Sequence, residues 1–528
     1  MRNRSEWTLN TIVYGFWLLL VLGTAVYADF YDAALYRQTG MLWMVLAGIF
    51  VFTPMILKKV RAWQPRKHYC GSHISPLAFR AVCFGCSMAV LGFCFLAVNP
   101  GGFDGDPGIQ LHQVLNGQYN DYYPVLHTLL ALWLPLTLTG GWFPSVMLFQ
   151  ILLFSLALMY LCETVRTYAD TFWAFVSLAV ILLNPITQSY LMYGYKDETF
   201  GICAMVLVCM NARILFSRGK WLKKKKNIAW FAMMVAITSI IRHNGILFAV
   251  PCLIGALMCI NWKRGLIVFC AALLIFVGIK GPLYSAIGVE KTEDRSTQTM
   301  GLPMAVIGGG VKYRPERLDE GLLEFAYSLA PKEVWEEKYT WGVYNWVDWN
   351  SRSNHQVLAD AGIVQVLKYM FRAFREAPKE CLKALIETTS ITYGITTNHL
   401  ADGAVYLSGT DLGIQDLSIS WMRDIMYGYR NLMYFVAPHS YLHSGMTLLL
   451  LITVMLAKYS LKRKENWRTI VPVLSIFCYN LVTMLMLFSW WDGARFFHYS
   501  LWVAPVLLVM LTCQDKVNYQ NLSNALYK

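Results

Sequence analysis

Apolar stretches of roughly 16–22 residues, the length that crosses a hydrocarbon core about 30 Å thick, recur along nearly the whole chain. They fall near residues 8–28, 41–57, 77–98, 144–162, 171–190, 199–217, 228–241, 246–261, 266–283, 441–457, 469–489 and 497–513. The first, Leu9 to Tyr27, is longer than a signal-peptide core and lacks a clean small-residue cleavage site, so it reads as a retained helix. Short basic clusters punctuate this pattern at Arg2/Arg4, Lys58 to Lys67, Arg213 to Lys226, Lys263/Arg264 and Lys458 to Arg468. Placing every such cluster on the cytoplasmic side fixes the parity of crossings between them.

Parity decides how one ambiguous segment is read. Tyr122 to Phe143 is apolar enough for a span, but counting it as one would put the run Lys223 to Lys226 outside. Pro135 and the Gly140-Gly141 pair also disfavour a straight crossing, so an interfacial or re-entrant helix is expected there. The expected fold is therefore all-α and polytopic, with about twelve transmembrane helices, interfacial helices and an inserted extracytoplasmic domain. Residues 1–283 form a transmembrane region with a first large outer loop at 99–143, residues 284–438 the inserted domain, and residues 439–528 the C-terminal transmembrane helices. An amphipathic stretch near Ile363 to Leu385 belongs to the inserted domain, whose fold the pattern does not give.

Composition agrees with this picture. The 528 residues are 56% hydrophobic and 15% charged, against about a quarter charged in soluble domains. Mean hydropathy is +0.43. The net charge of +13 sits between apolar spans, the pattern of cytoplasmic loops, so nucleic-acid binding is not expected. Of the 13 cysteines only Cys381 falls in the long polar region, which leaves no disulfide or zinc spacing there. Zinc-protease, Walker A and nucleophile-elbow motifs are absent, and Gly308 to Gly310 lack the lysine that would make a phosphate loop.

The same parity puts four polar motifs on one outer face. Asp104 and Asp106 stand two apart in NPGGFDGDPG, placed to act as general base and as metal or hydroxyl anchor, although Asp, Gly and Pro are also ordinary turn residues. Lys196, Asp197 and Glu198 open a later span, where ionisable groups are costly unless paired or used; a lysine reaching to head groups is the plainer alternative. Arg242, His243 and Asn244 cap a short hairpin, as an anion ligand or as a plain Asn-Gly turn. Asp492 and Arg495 lie among Trp490, Trp491, Phe496, Phe497 and Tyr499, a composition that suits a lipid-phosphate ligand or an interfacial aromatic belt.

Taken in order, these motifs resemble the C-type glycosyltransferase superfamily, multi-spanning enzymes that take a sugar from a polyprenyl-phosphate carrier. Protein O-mannosyltransferases and lipid A aminoarabinose transferases belong to it, and the likeness is to bacterial members. It rests on the acidic loop, the segment Tyr123-Pro124-Val125-Leu126-His127-Thr128, the pair Lys196-Asp197, the turn Arg242, Asn244, Gly245, and Arg495-Phe496 ahead of Pro505. It covers residues 77–283 and 441–505. The resemblance implies that Asp106, with Asp104 as the other candidate, deprotonates an acceptor hydroxyl. It implies that Asp197 is the second acidic group beside the donor phosphate, and that Lys196, Arg242 and Arg495 bind that phosphate. Tyr123, His127, Glu198, His243, Asn244 and Asp492 complete the substrate site. Some members use a divalent metal ion and others do not; Asp104 and Asp106 are the residues that would hold one. The expected partners are a polyprenyl-phosphate-linked sugar, an acceptor of lipid, glycan or protein nature, and membrane lipids. The expected location is a bacterial plasma membrane with an extracytoplasmic active site. Two other functions share some of these features: a polysaccharide polymerase or ligase using lipid-linked glycan, and a lipid-linked substrate transporter or flippase. Against transport, the chain shows no internal repeat and its charges cluster on one face rather than at the midplane.

Overall fold

The computed structural model describes residues 74–103, 105–292, 299–393, 414–436, 444–458, 464–487 and 494–513, together with Lys59 and Leu412. The spans expected at 8–28 and 41–57 lie outside these residues. Among the described residues there are helices and isolated bridges but no strand. Within these residues six helices are long and apolar enough to cross a membrane: Pro76–Ala97, Pro144–Tyr168, Lys196–Phe216, Trp262–Ala286, Trp467–Leu485 and Arg495–Thr512. Thr171–Leu182 and Ile246–Leu257 are apolar but shorter, as are Lys225–Ile240 and Ser444–Lys458.

The Lys196–Phe216 helix is the axis of the bundle, 89% buried, while Trp262–Ala286 lies at the periphery with 11% buried. Close approach to the axis depends on Gly201, where a Cβ would come within 2.5 Å of the Trp502 ring. A parallel case is Gly255, whose missing side chain admits Pro472 of the Lys464–Leu485 helix. The apolar stretch 171–190 is not one helix. It stops at Leu182, and Asn184 caps a new short helix, Pro185–Tyr190, by accepting from the amides of Ile186 (2.9 Å) and Thr187 (3.2 Å). An Asn-Pro pair makes that break, because proline has no amide to continue the ladder and asparagine favours the cap.

Val125–Leu138 is an apolar helix with a π-type stretch at Thr128–Trp133. At 1.5 Å per residue it is about 21 Å long, shorter than a hydrocarbon core. It begins and finishes at the same end of the bundle. The Leu126 amide donates to the Tyr284 hydroxyl (3.0 Å), and beyond Gly140 and Gly141 the chain turns directly into Pro144–Tyr168. Met147 there packs against Gly101 and Gly194 of the neighbouring loops.

Residues 299–393 build a second hydrophobic core of their own, separate from that of the bundle. Trp335 donates to the Ala326 carbonyl (2.9 Å) and the Tyr339 hydroxyl to that of Ala305 (2.5 Å), tying three helices together. The Gly308–Gly310 triplet lies inside the Gly301–Tyr313 helix, where Gly308 admits the Tyr339 ring and Gly309 the backbone of Glu380. The triplet is a packing seam. The amphipathic stretch expected near Ile363 to Leu385 is two helices, Gln356–Glu376 and Pro378–Tyr393, separated at Pro378.

Candidate functional site

The site forms where loops from four parts of the chain meet at one end of the bundle. The loop before Asp106 is pinned to the loop before Lys196: the Gly102 amide donates to the Met192 carbonyl (2.8 Å) and the Gly194 amide to that of Gly102 (3.2 Å). A side chain at Gly102 would collide with the Tyr193 ring, so the backbones meet only because this residue is glycine. Asp106 opens the helix Asp106–Asn116, and Lys196 opens its own helix. Gln110, one turn on from Asp106, reaches His127 Nδ1 (3.1 Å) and donates to Thr128 Oγ1 (2.8 Å). That contact fixes the Asp106 helix against the Val125–Leu138 segment.

Arg242 follows the end of Lys225–Ile240, and each side chain of its turn takes a different neighbour. Arg242 pairs with Asp197, His243 Nε2 donates to the Tyr122 carbonyl (3.0 Å), and Asn244 donates to Thr483 Oγ1 (2.6 Å). Gly245 is required there, since a Cβ would lie 2.1 Å from the Thr238 carbonyl oxygen.

Lys196, Arg242 and Arg495, far apart in sequence, converge on two carboxylates. Lys196 pairs with Asp106 and Arg242 with Asp197. Arg495 bridges both, 3.6 Å from Asp106 Oδ2 and 3.9 Å from Asp197 Oδ2. Burial pushes the Asp106 carboxyl up, but Lys196, Arg495 and Arg242 together hold it well below the usual carboxylate range. The phenol of Tyr123 bonds to Asp106, and burial together with that charge pushes it above its ordinary range, so it stays a neutral donor. Aromatic rings enclose the cations: Arg242 lies 4.6 Å from the Phe496 ring centre, and Arg495 lies 4.5 Å from that of Tyr195. Such contacts strengthen as water is removed.

Other expected site residues sit behind this cluster. His127 is fully buried and acts through Gln110 on the position of Asp106. Glu198 is fully buried too, 3.9 Å from His498, with no hydrogen-bond partner on either carboxylate oxygen among the described residues. Asp104 and Asp492 lie outside the described residues. Among the described residues no group of three His, Cys, Asp or Glu side chains could hold a metal ion, and the neighbours of Asp106 are cations. Sequence reasoning missed Gln110, Tyr195 and Tyr479, whose ring lies 5.5 Å from the Arg242 guanidinium. These residues look like ordinary members of their segments until the fold brings them to the ion cluster.

Two cavities flank the cluster. One, about 520 Å³ and almost wholly apolar, runs between the Pro144–Tyr168, Lys196–Phe216 and Lys225–Ile240 helices. It begins at Thr199 and Ile241, beside Asp197 and Arg242, and ends at Trp221 and Trp230, beside the run of lysines. The other, about 680 Å³ and much the more polar of the two, is lined by Asp121, Tyr123, His243, Lys280, Tyr284 and Lys291.

Compared with known proteins, the chain matches no family model, no curated protein and no solved structure.

Proposed function

We propose that this protein is a membrane glycosyltransferase that moves a sugar from a polyprenyl-phosphate carrier to an acceptor hydroxyl on the extracytoplasmic face. The observation that carries this reading is the convergence of Lys196, Arg242 and Arg495 on two carboxylates, with an apolar groove that starts at Thr199 and Ile241, close in sequence to Asp197 and Arg242. A phosphate on an isoprenoid tail has the matching shape: an anionic head for the cations, singly charged in the sugar-bearing diester and doubly charged once the sugar leaves, and a long apolar chain for the groove. From Thr199 to Met210 the groove follows the central helix for about 16 Å.

In the proposed reaction the acceptor oxygen attacks the anomeric carbon of the sugar. The bond from that carbon to the carrier phosphate oxygen breaks, and its electron pair stays with the phosphate. The acceptor proton passes to Asp106. Lys196, Arg242 and Arg495 stabilise the negative charge that gathers on the leaving oxygen. With Lys196 and Arg495 both against it, Asp106 is a weak base. A donor phosphate competes for those cations, so its arrival raises the basicity of Asp106 at the moment a base is needed. Asp106 and Asp197 thereby stand in the place of the phosphate until it binds.

The topology that goes with this reading has about twelve crossings, with the ion cluster outside the cell membrane and the lysine run inside. It requires the shorter helices Thr171–Leu182, Lys225–Ile240, Ile246–Leu257 and Ser444–Lys458 to cross as well, aided by their capping segments. The direct test is native mass spectrometry of the purified protein with a polyprenyl monophosphate and with the matching uncharged polyprenol. Selective retention of the phosphate, weakened about tenfold or more in Arg495→Gln, is expected. Equal retention of phosphate and alcohol would end the donor assignment.

A further inference from the structure

We infer that the polar cavity beside the ion cluster is a second phosphate site, which receives the phosphate-bearing head group of a lipid acceptor. Its role as an acceptor site rests on the glycosyl-transfer reading; its existence as an anion site does not. The cavity is distinct from the cluster, since none of Lys196, Arg242, Arg495 and Asp106 lines it. Its cations are Lys280 and Lys291, and neither has a carboxylate within 4 Å among the described residues. Hydroxyl donors stand with them at Tyr284, whose oxygen accepts from the Leu126 amide and leaves its proton to give, and at Ser285.

The walls are built rather than incidental. The Glu290 amide donates to the Tyr119 carbonyl (2.9 Å) and the Asp121 amide to that of Glu290 (3.0 Å). The Thr292 amide donates to Asp121 Oδ1 (2.7 Å), which ties Asp121, the carboxylate in the cavity wall, to the segment that carries Lys291. The Tyr284 hydroxyl accepts from the Leu126 amide (3.0 Å). Loop 119–126 and segment 284–292 are thereby stitched around the cavity, which holds the two lysines against a fixed frame.

Three features select the ligand. Two ammonium groups without carboxylate partners among the described residues favour an anion, and phosphate takes lysine as a point charge. One wall is the outer part of Trp262–Ala286, a peripheral helix with Leu273, Leu274 and Val277 exposed. A cavity alongside such a helix is reached from the lipid phase, at the depth where head groups lie. Finally, Tyr123 belongs both to the cavity wall and to the ion cluster, with Lys196 5.1 Å from its ring centre and its phenol on Asp106. Tyr123 thereby links a ligand anchored by phosphate at Lys280 and Lys291 to Asp106, the proposed base.

The test uses the full-length protein in lipid nanodiscs and compares wild type with Lys280→Gln/Lys291→Gln. Both side chains are exposed and outside the ion cluster, so an unchanged thermal midpoint serves as the folding control. Binding of dihexanoyl phosphatidic acid is expected to weaken about tenfold in the double variant, while binding of a polyprenyl monophosphate is retained. Unchanged phosphatidic acid binding in the double variant overturns the site. So does competition between the two lipids for one site that Arg495→Gln removes for both. Inorganic phosphate binding as tightly as phosphatidic acid, with the same lysine dependence, would overturn the lipid part of the assignment. Failure of wild type to prefer polyprenyl phosphate over polyprenol, with lysine-dependent phosphatidic acid binding intact, would remove the donor reading and leave this anion site standing.

Discussion

Arg242 and Asp197 are buried together, with side chains 9% and 1% exposed, so removing Asp197 strands Arg242 where water does not reach, and removing Arg242 leaves Asp197 to the longer contact with Arg495 (3.9 Å). Breaking a buried pair by losing one partner costs about 3–5 kcal/mol, whereas replacing both charges is far milder. Arg242→Gln alone is therefore expected to lower the thermal midpoint sharply, and Arg242→Gln/Asp197→Asn to recover most of it. Recovery of the fold without recovery of polyprenyl-phosphate binding separates the two roles of Arg242; recovery of both would make the pair purely structural. Asp106 makes the complementary case. Its amide keeps the shape and removes the basicity, so Asp106→Asn is expected to slow sugar transfer on the order of 10²–10⁴-fold while the donor still binds. Full activity in Asp106→Asn with loss in Asp104→Asn would move the base to Asp104. At this scale the cations were legible, because an ionisable group at the end of an apolar span stands out. Which carboxylate each one meets was not legible. Nothing in the local pattern tells Arg495 that it lies between Asp106 and Asp197, and the place of Gln110 depends on an interrupted helix returning to the same end of the bundle.

Elements carry these side chains, and their packing leaves little slack. Gly201 sits one turn below Asp197 on the central helix, facing Trp502, which in turn donates to Thr187 Oγ1 (2.9 Å) and cannot easily withdraw. In an exposed helix, glycine to alanine would stabilise by about 1 kcal/mol. Here the methyl group meets the Trp502 ring, and overpacking of this kind costs about 1–3 kcal/mol. Gly201→Ala is thus expected to lower the thermal midpoint in detergent; a rise would show that the helix contact yields. The inserted domain offers a test by pH. Burial raises the Asp348 carboxyl to about 6, against the opposing pull of His355 (3.4 Å away) and the Tyr344 phenol. A carboxyl raised in the folded state binds its proton more tightly there than in the unfolded chain. Its contribution to stability is full below about pH 4 and is lost as pH rises through about 6. Hydrogen-exchange protection of residues 320–360, corrected for intrinsic rates, is expected to fall across that window in wild type and to stay level in Asp348→Asn. An equal fall in both would remove Asp348 as the cause. Element boundaries followed their legible breakers only in part. Pro135 with Gly140-Gly141 marked the interrupted helix, and Pro378 divides the amphipathic stretch, but the break at Asn184-Pro185 lies inside an apolar run and was read as continuous span.

At the scale of the whole molecule, the charges that define the site and the charges that follow the topology rule occupy opposite ends of one helix. Lys196 opens the Lys196–Phe216 helix, and the basic run Arg218 to Lys226 follows its close, about 30 Å away. Such a separation matches the thickness of a hydrocarbon core, so one end cannot be at the cytoplasmic surface without placing the other across the membrane. The positive-inside rule assigns the lysine run, which lies in a short loop where the rule is strongest. Under the topology we propose, the ion cluster and the cavity beside it open on the far side, together with the separately cored domain at residues 299–393. This ordering is tested with single cysteines at two exposed positions, Gln118→Cys in the loop after the Asp106 helix and Lys225→Cys in the basic run, in a background where the exposed Cys86, Cys270 and Cys478, and Cys70 outside the described residues, are serine. A membrane-impermeant maleimide applied to intact cells is expected to label Gln118→Cys and to reach Lys225→Cys only after permeabilisation. The reverse pattern would leave the ion cluster intact as geometry but turn it toward the cytoplasm. There water-soluble nucleotide sugars are available as donors, and the convergence of cations would no longer favour a lipid-linked sugar over them.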